Sequence, residues 1–229
     1  MTHPLWPLFD LVIRSERLEL RLPTDDELVE LAAVARAGVH APDEMPFGVP
    51  WSTLPSPEFE RGFAQHHWLM RATWRPDEWV LNLGIFHDGR SIGSQTVRAH
   101  RFAVFRTIRT GSWLGLPYQR RGYGREMRSA VLAFGFDHLG AVRADTEAFL
   151  DNARSTGVSR SLGYLEDGFG QLAPEGVART TQRFRMTLDA WRSRPRGPVR
   201  VAGLEACRDL FGADGIPAEQ PPMRGPRPG

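Results

Sequence analysis

Lysine is absent from this 229-residue chain: all 29 basic residues are arginine, set against 27 acidic ones for a formal net charge of +2. That absence excludes a Walker-type phosphate loop, whose lysine reaches the bound phosphates. Arginine stays protonated far above neutrality, so a pI near 9.2 arises at almost balanced charge and carries no argument for nucleic-acid binding. The arginines are also spread along the chain rather than gathered in one patch with interleaved aromatics, so no nucleic acid is expected among its partners. Cysteine occurs once, as Cys207, which excludes an internal disulfide and any multi-thiolate metal site. No apolar run approaches the roughly 18 residues of a membrane span, so no membrane partner is expected. The apolar start, Leu5 to Ile13, lacks a basic flank and is broken by Asp10; this argues against a secretory signal and for a cytoplasmic location.

What is present is the composition of a folded domain, with 41% hydrophobic and 24% charged residues. The length suits one domain with extensions better than two domains. The expected partition is an extension over 1–13, a domain over 14–191, and an appendage over 192–229 with a disordered end rich in proline and glycine. Arg17 to Leu22 alternates as a half-buried strand. Thr24 with Glu27 forms a capping box ahead of a helix whose apolar face is Leu28, Leu31, Ala32 and Ala35. A proline-rich loop from His40 to Pro57 follows, carrying Met45, Phe47, Val49 and Trp51. Ser56 and Pro57 then predict a second helix to about Trp74, with the serine as cap.

Trp79 to His87 and Ile92 to Arg101 read as strands joined by a tight turn at Asp88-Gly89, and Arg106 to Leu116 as a third strand of the same meander. Helical spacing resumes from Tyr123 to Leu139. A strand over Val142 to Phe149, a helix over Asn152 to Leu162, and strands over Tyr164 to Phe169 and Thr181 to Leu188 complete a mixed α/β domain. An arginine- and proline-rich linker after Trp191 leads to an apolar segment over Val199 to Phe211.

The stretch with the most chemical content runs from Gly111 to Met127, containing Gln119-Arg120-Arg121-Gly122-Tyr123-Gly124-Arg125. A strand ends in a turn and a helix begins where Gly122 and Gly124 leave the backbone unshielded. Free amides at a helix N-terminus, with its positive dipole end, suit a phosphate or pyrophosphate. Arg120, Arg121 and Arg125 add charge-assisted contacts. A dinucleotide-binding reading fits poorly, because the preceding strands are hairpin-linked and the third glycine is missing.

Gln119-x-x-Gly122-x-Gly124 resembles motif A of the GNAT acyltransferase superfamily, and Asn152-x-x-Ser155 running to Gly163-Tyr164 resembles its motif B. An asparagine with a serine three residues on is similar to the RimJ/RimL-like branch, and both stretches are similar to actinobacterial-type acyltransferases. The resemblance spans about Arg14 to Leu188. It implies a GNAT fold: a central, mixed, mostly antiparallel twisted sheet with splayed strands flanked by helices, in which the strand before motif A carries a bulge. It also implies acetyl-CoA or another acyl-CoA as cosubstrate without a metal, and a primary amine of a small molecule, peptide or protein N-terminus as acceptor. Leu114, Gly115 and Leu116 then lie along the pantetheine arm, and the Leu114 amide is the expected oxyanion donor. The resemblance also implies that the amides of Arg120, Arg121, Gly122, Tyr123, Gly124 and Arg125 hold the pyrophosphate, that Gln119 is a cofactor-side residue, and that Asn152 hydrogen-bonds the pantetheine arm. Ser155 matches the serine expected to stabilise or protonate the departing thiolate, and is the better acid candidate because Ser159 stands where several N-terminal acetyltransferases have a tyrosine; a hydroxyl on this helix equally suits a back-bond to the helix or water.

Direct attack needs a neutral amine, and a general base matters most for a lysine-like one. Candidates are Glu147, Asp145, Glu44, Asp43 and His100, with Glu147 and Glu44 preferred. Phe47, Trp51 and Gln95 are the expected acceptor-side residues, although the first two also suit core contacts. His66 and His67 are adjacent on a helix and cannot face one metal. Two alternatives stay open: a donor with a larger or anionic acyl group such as succinyl, which a nearby arginine can pair with, and a non-catalytic acyl-CoA-binding regulatory module. A homodimer through the last strand or the appendage is compatible with the sequence.

Overall fold

In the computed structural model, which describes residues 3–215, a short 3-10 turn over Pro7–Asp10 leads into β1 (Val12–Arg14), which pairs antiparallel with β2 (Glu19–Arg21). Helix α1 (Asp25–Arg36) begins with the expected capping box: Thr24 Oγ1 accepts from the Glu27 amide at 3.2 Å, and Glu27 Oε2 accepts from the Thr24 amide at 2.8 Å. The loop after it makes only a 3-10 turn at Trp51–Thr53 before α2 (Glu58–Ala72). Ser56 does not cap this helix. Pro57 holds the cap position, and the Ser56 hydroxyl instead donates to Glu60 Oε2 at 2.9 Å.

β3 (Glu78–His87) and β4 (Arg90–His100) form a long hairpin whose two turn residues, Asp88 and Gly89, have φ of 49° and 73°. Both lie in the left-handed region that a two-residue turn demands and that Asp-Gly supplies. The one-turn helix α3 (Phe102–Phe105) connects to β5 (Thr107–Leu114). Helix α4 (Tyr123–Ala133) continues into a π-helical turn over Phe134–His138, and β6 (Arg143–Phe149) follows. Asn152 caps α5 (Ala153–Leu162), and β7 (Leu165–Leu172) and β8 (Arg179–Thr187) form the last hairpin. β8 stops one residue before Leu188, because the Thr187 hydroxyl caps the short helix α6 (Leu188–Arg192). β9 (Arg200–Ala202) closes the chain order.

Among the described residues these strands form one nine-stranded sheet, ordered β7-β8-β6-β5-β4-β3-β2-β1-β9, with every pairing antiparallel except β5 to β6. α1 and α2 pack with Trp113 and the loop aromatics Phe47 and Trp51 on one face. α4 supplies Met127, Ala130 and Val131 to the main core on the other. The alternation of β5 makes this division: Ile108 and Leu114 enter the main core while Trp113 turns to the opposite cluster.

The residues expected as N-terminal extension and C-terminal appendage supply the sheet's far edge. β9 pairs with β1, and Phe211 is fully buried, 5.0 Å from Trp79 and 5.3 Å from Trp74 between ring centroids. Both indole N–H groups donate into this segment, Trp74 to Leu210 O and Trp79 to Phe211 O. Cys207 sits in the same core, fully buried, where burial pushes its thiol up to about 12 and removes any nucleophilic role at neutral pH. The disordered end expected beyond residue 215 lies outside the described residues. No helix among the described residues is long and apolar enough to cross a membrane.

Candidate active site

β5 and β6 pair in parallel only from Thr107 with Arg143 to Arg109 with Asp145, then separate. The gap between Thr110–Leu114 and Thr146–Phe149 opens a cavity of about 490 Å³, walled by α4 and α5 on one side and by the loop at His40 and Phe47 on the other. The bulge expected in β5 is not there: its register with β4 runs unbroken from Gly93–Leu114 to Arg98–Arg109. The irregularity falls in the neighbouring pair instead, between Ile85 and Phe86. The splay therefore results from β6 leaving β5.

Which backbone groups face the gap follows from alternation along β5. The Gly115 amide donates to Ile92 O on β4, and Leu116 donates to Gly38 O, so both are spent inside the protein. The carbonyls of Thr110 and Leu114 turn the other way, accepting from Thr146 Oγ1 at 3.0 Å and Gln119 Nε2 at 2.9 Å. Along an antiparallel strand a residue's N–H and C=O point to the same side. The Ser112 and Leu114 amides consequently face the cavity. Of the three backbone positions singled out on this strand, Leu114 alone offers a donor there.

The turn from β5 into α4 makes the cavity's mouth. Arg120 and Gly122 have φ of 61° and 82°, and Gly122 is the helix N-cap. Two left-handed residues this close curl the chain so that successive amides converge. Among the described residues, no backbone N–H from Arg120 to Arg125 finds an acceptor in the protein; the pairing resumes with Glu126 N on Gly122 O. The helix macrodipole adds positive potential at the same place. Side chains here divide by role. Arg120 and Arg125 line the cavity, with Gly122 and Gly124 between them. Arg121 does not line it, and its carbonyl accepts from Arg17. Tyr123 is buried behind the turn, 4.9 Å from the His87 ring and under the Arg17 guanidinium. Gln119 acts as a strut: its amide nitrogen donates to Val39 O at 2.8 Å as well as to Leu114 O, tying the end of α1 to the end of β5.

α5 presents Asn152 and Ser155 to the cavity. Asn152 Oδ1 accepts from the Ser155 amide at 3.0 Å, which orients its side chain at the helix start. Ser159 bonds back to Ser155 O at 3.2 Å, whereas the Ser155 hydroxyl itself bonds to nothing among the described residues. It is therefore available to a ligand.

Of the five base candidates, Glu147 alone lines the cavity. Its Oε2 accepts from Thr181 Oγ1 at 3.3 Å, and Arg109 stands 3.9 Å from Oε1. Glu44 is held by Arg154 and by the Ala41 amide, Asp145 by Arg143 at 2.6 Å, and Asp43 lies off the wall. His100 is exposed at the far end of β4, beside Phe105. On the acceptor side Phe47 lines the cavity, while Trp51 stands behind it in the aromatic cluster, against Phe47, Phe59, Phe63 and Trp113. Gln95 is fully buried and spends its amide nitrogen on Thr96 O and Gly111 O, so it does not reach the cavity.

His40 and Arg128 also line the cavity. His40 Nδ1 lies 2.8 Å from Ala41 O and Nε2 2.8 Å from Ser52 Oγ. The carbonyl requires the proton on Nδ1, which leaves Nε2 as acceptor. Arg128 is 3% exposed on the buried face of α4 and reaches the cavity between Ser112 and Thr146. The signal for it was a lone arginine inside the apolar stripe between Met127 and Val131. Among the described residues no cluster of histidine, cysteine and carboxylate side chains suits a metal; His66 contacts Asn82, while burial lowers the neighbouring His67 to about 3.

The family described as "Acetyltransferase (GNAT) domain" matches residues 17–165. Among solved structures, Mycobacterium smegmatis RimJ in complex with CoA-disulfide is 18% identical, covering 86% of this chain and 93% of its own, with a TM-score of 0.65. A Vibrio cholerae protein provisionally assigned as a ribosomal-protein-serine acetyltransferase is 22% identical over 82% of this chain and 99% of its own, with a TM-score of 0.63. RimL, a ribosomal L7/L12 alpha-N-protein acetyltransferase in complex with coenzyme A, is 17% identical over 78% and 99%, with a TM-score of 0.62. At these identities the likeness is one of fold.

Proposed function

The chain belongs to the GNAT acetyltransferase family, and from that premise we propose that it moves an acyl group from acyl-coenzyme A to a primary amine by direct attack. The observation that carries this reading is the run of unpaired amides from Arg120 to Arg125 at the mouth of a cleft whose wall offers further free donors at Ser112 and Leu114. Backbone donors at a helix start suit a pyrophosphate. Gly122 and Arg125 also line a second cavity of about 680 Å³, walled by Arg17, Arg194 and Arg196, into which the nucleotide end of the donor would pass.

In the proposed reaction the amine lone pair attacks the thioester carbonyl, the N–C bond forms and the C–S bond breaks. The Leu114 amide receives the developing oxyanion without reorganisation. The amine's proton goes to Glu147, and the departing sulfur is protonated through the Ser155 hydroxyl, so the net transfer is one proton from nitrogen to sulfur. An α-amine is roughly one-tenth neutral at pH 7, a lysine amine far below that. A single cavity-lining carboxylate beside Arg109 suits the more acidic of the two, which favours a peptide or protein N-terminus, as the name of RimL also does.

Calorimetry with acetyl-CoA, followed by thiol release against amines and free peptide N-termini, tests the reading. Binding in the micromolar range and turnover with at least one α-amine are expected. Absence of binding would remove the donor assignment, and binding without turnover on any amine would leave a regulatory acyl-CoA-binding module.

A further inference from the structure

Arg128 differs from the carboxylate-paired arginines of this fold. Arg21, Arg143 and Arg179, each more exposed than Arg128, all hold carboxylates. Arg128 is 3% exposed, yet among the described residues no carboxylate lies within ion-pair distance of it. Nη1 donates to Thr146 Oγ1 at 3.1 Å and Nη2 to Ser112 Oγ at 3.2 Å; Nε is buried with no acceptor. Nearby, the buried hydroxyls of Thr110 and Tyr164 make no hydrogen bond of good geometry among the described residues, although Tyr164 stands within reach of both Thr110 and Arg128. A guanidinium offers five N–H donors, and a buried one without a counter-charge is strongly unfavourable. Such a group is retained where an anion arrives from outside.

The anion is not the pyrophosphate, whose donors lie at the opposite end of the cleft. Arg128 sits one helical turn further into the protein than Gly124, against the section of β5 and β6 where the strands have just parted. If the Leu114 amide receives the thioester carbonyl, the acyl chain extends along β5 toward Ser112. Those two positions are about 7 Å apart on a strand. A four-carbon diacid chain and one hydrogen bond cover that span.

Building on the acyltransferase reading, we propose that Arg128 selects donors whose acyl group ends in a carboxylate, succinyl-CoA being the length that fits, with Ser112 and Thr146 completing the carboxylate's surroundings. The carboxylate stays a spectator: the thioester carbon is attacked as before, and Arg128 is a specificity residue. A purely structural role, bracing β5 to β6 through two hydroxyls, makes the opposite prediction, since it is indifferent to the acyl group.

The test compares succinyl-, butyryl- and acetyl-CoA on the full chain by calorimetry and by kcat/KM. Butyryl has the same chain length without the charge. The expected result is a preference for succinyl- over butyryl-CoA of about tenfold or more, the effect of one charge-assisted bidentate contact. In Arg128→Met the preference falls to about one, and Arg128→Lys keeps part of it. Equal affinity for succinyl- and butyryl-CoA in the unmodified protein overturns the inference, whatever the variants do. So does an undiminished preference in a folded Arg128→Met. If no thioester binds at all, the parent reading fails along with it; equal binding of all three defeats this inference alone.

Discussion

The two ends of the cleft use opposite materials. At the mouth, the donors are backbone amides of consecutive residues, Arg120 to Arg125, held apart from any acceptor by two left-handed torsions. At the floor, the donor is one side chain, Arg128, set among Ser112, Thr146 and Thr110, which come from two other strands. The mouth is generic: it can grip any pyrophosphate and is blind to what the ligand carries. The floor is selective, because a fixed, buried charge distinguishes ligands by the one group that reaches it. Affinity and specificity are thereby separable within a single cavity.

Changes at Gly122 should strike the mouth alone and produce the largest effect. Gly122→Val places a β-branched residue at φ 82°, a strain of about 1–3 kcal/mol that the turn relieves only by reshaping the cradle. Affinity for every acyl-CoA, and for coenzyme A itself, should fall about 100-fold, with no change in preference among acyl groups. A calorimetric series showing changed preference would erase the distinction between the two ends.

Acid probes the comparison from outside the cleft. His67 lies on α2, where burial holds it at about 3. Above its ordinary value of 6.5 both folded and unfolded states are neutral there; below it the unfolded chain takes up a proton that the native state refuses. Stability is therefore lost as pH falls from about 6.5 toward 3, at about 1.4 kcal/mol per pH unit. Denaturant titrations at pH 7, 6 and 5 should show that slope, flattened in His67→Gln. His66 and His138, also lowered by burial, act in the same direction. Loss of ligand binding at pH 5 in a chain that is still folded would instead implicate the cleft.

Ser155→Ala addresses the middle of the cleft. With no competing partner for its hydroxyl among the described residues, the variant should lower kcat about tenfold while acyl-CoA affinity changes less than twofold. A matching loss in both would make Ser155 part of the grip. The smallest effect is expected at a site with no role in either end: Thr24→Ala removes the capping box of α1 at about 1 kcal/mol, lowering Tm by about 2–4 °C without altering turnover.

The same contrast explains what could be read from residues in order. The capping box at Thr24, the Asp88-Gly89 turn, the Asn152 cap and the Gln119 to Gly124 stretch are all interactions within a few positions, so each left a local mark. Ser56 misled because a serine before a proline resembles a cap, yet the helix begins one residue later and its hydroxyl finds Glu60. Gln119 lines the cavity, but the work of its amide nitrogen, bonding Val39 and Leu114 on other elements, leaves no local mark. Gln95 and Trp51 suit a cleft by residue type, and packing turned both away from it.

By itself the chain's sequence determined the hairpin, the helices and the backbone cradle, because torsional preference and neighbouring side chains are local properties. Only the tertiary structure decided that β6 would leave β5 after Arg109, that residues 200–213 would complete the far edge of the sheet, and that Arg128 would stand in the cleft with no counter-charge among the described residues. The physical reason is that burial and partnership of a charge depend on groups distant in sequence. An arginine in a helix that is mostly apolar states only that a charge is buried; the fold shows that it meets two hydroxyls and, among the described residues, no carboxylate.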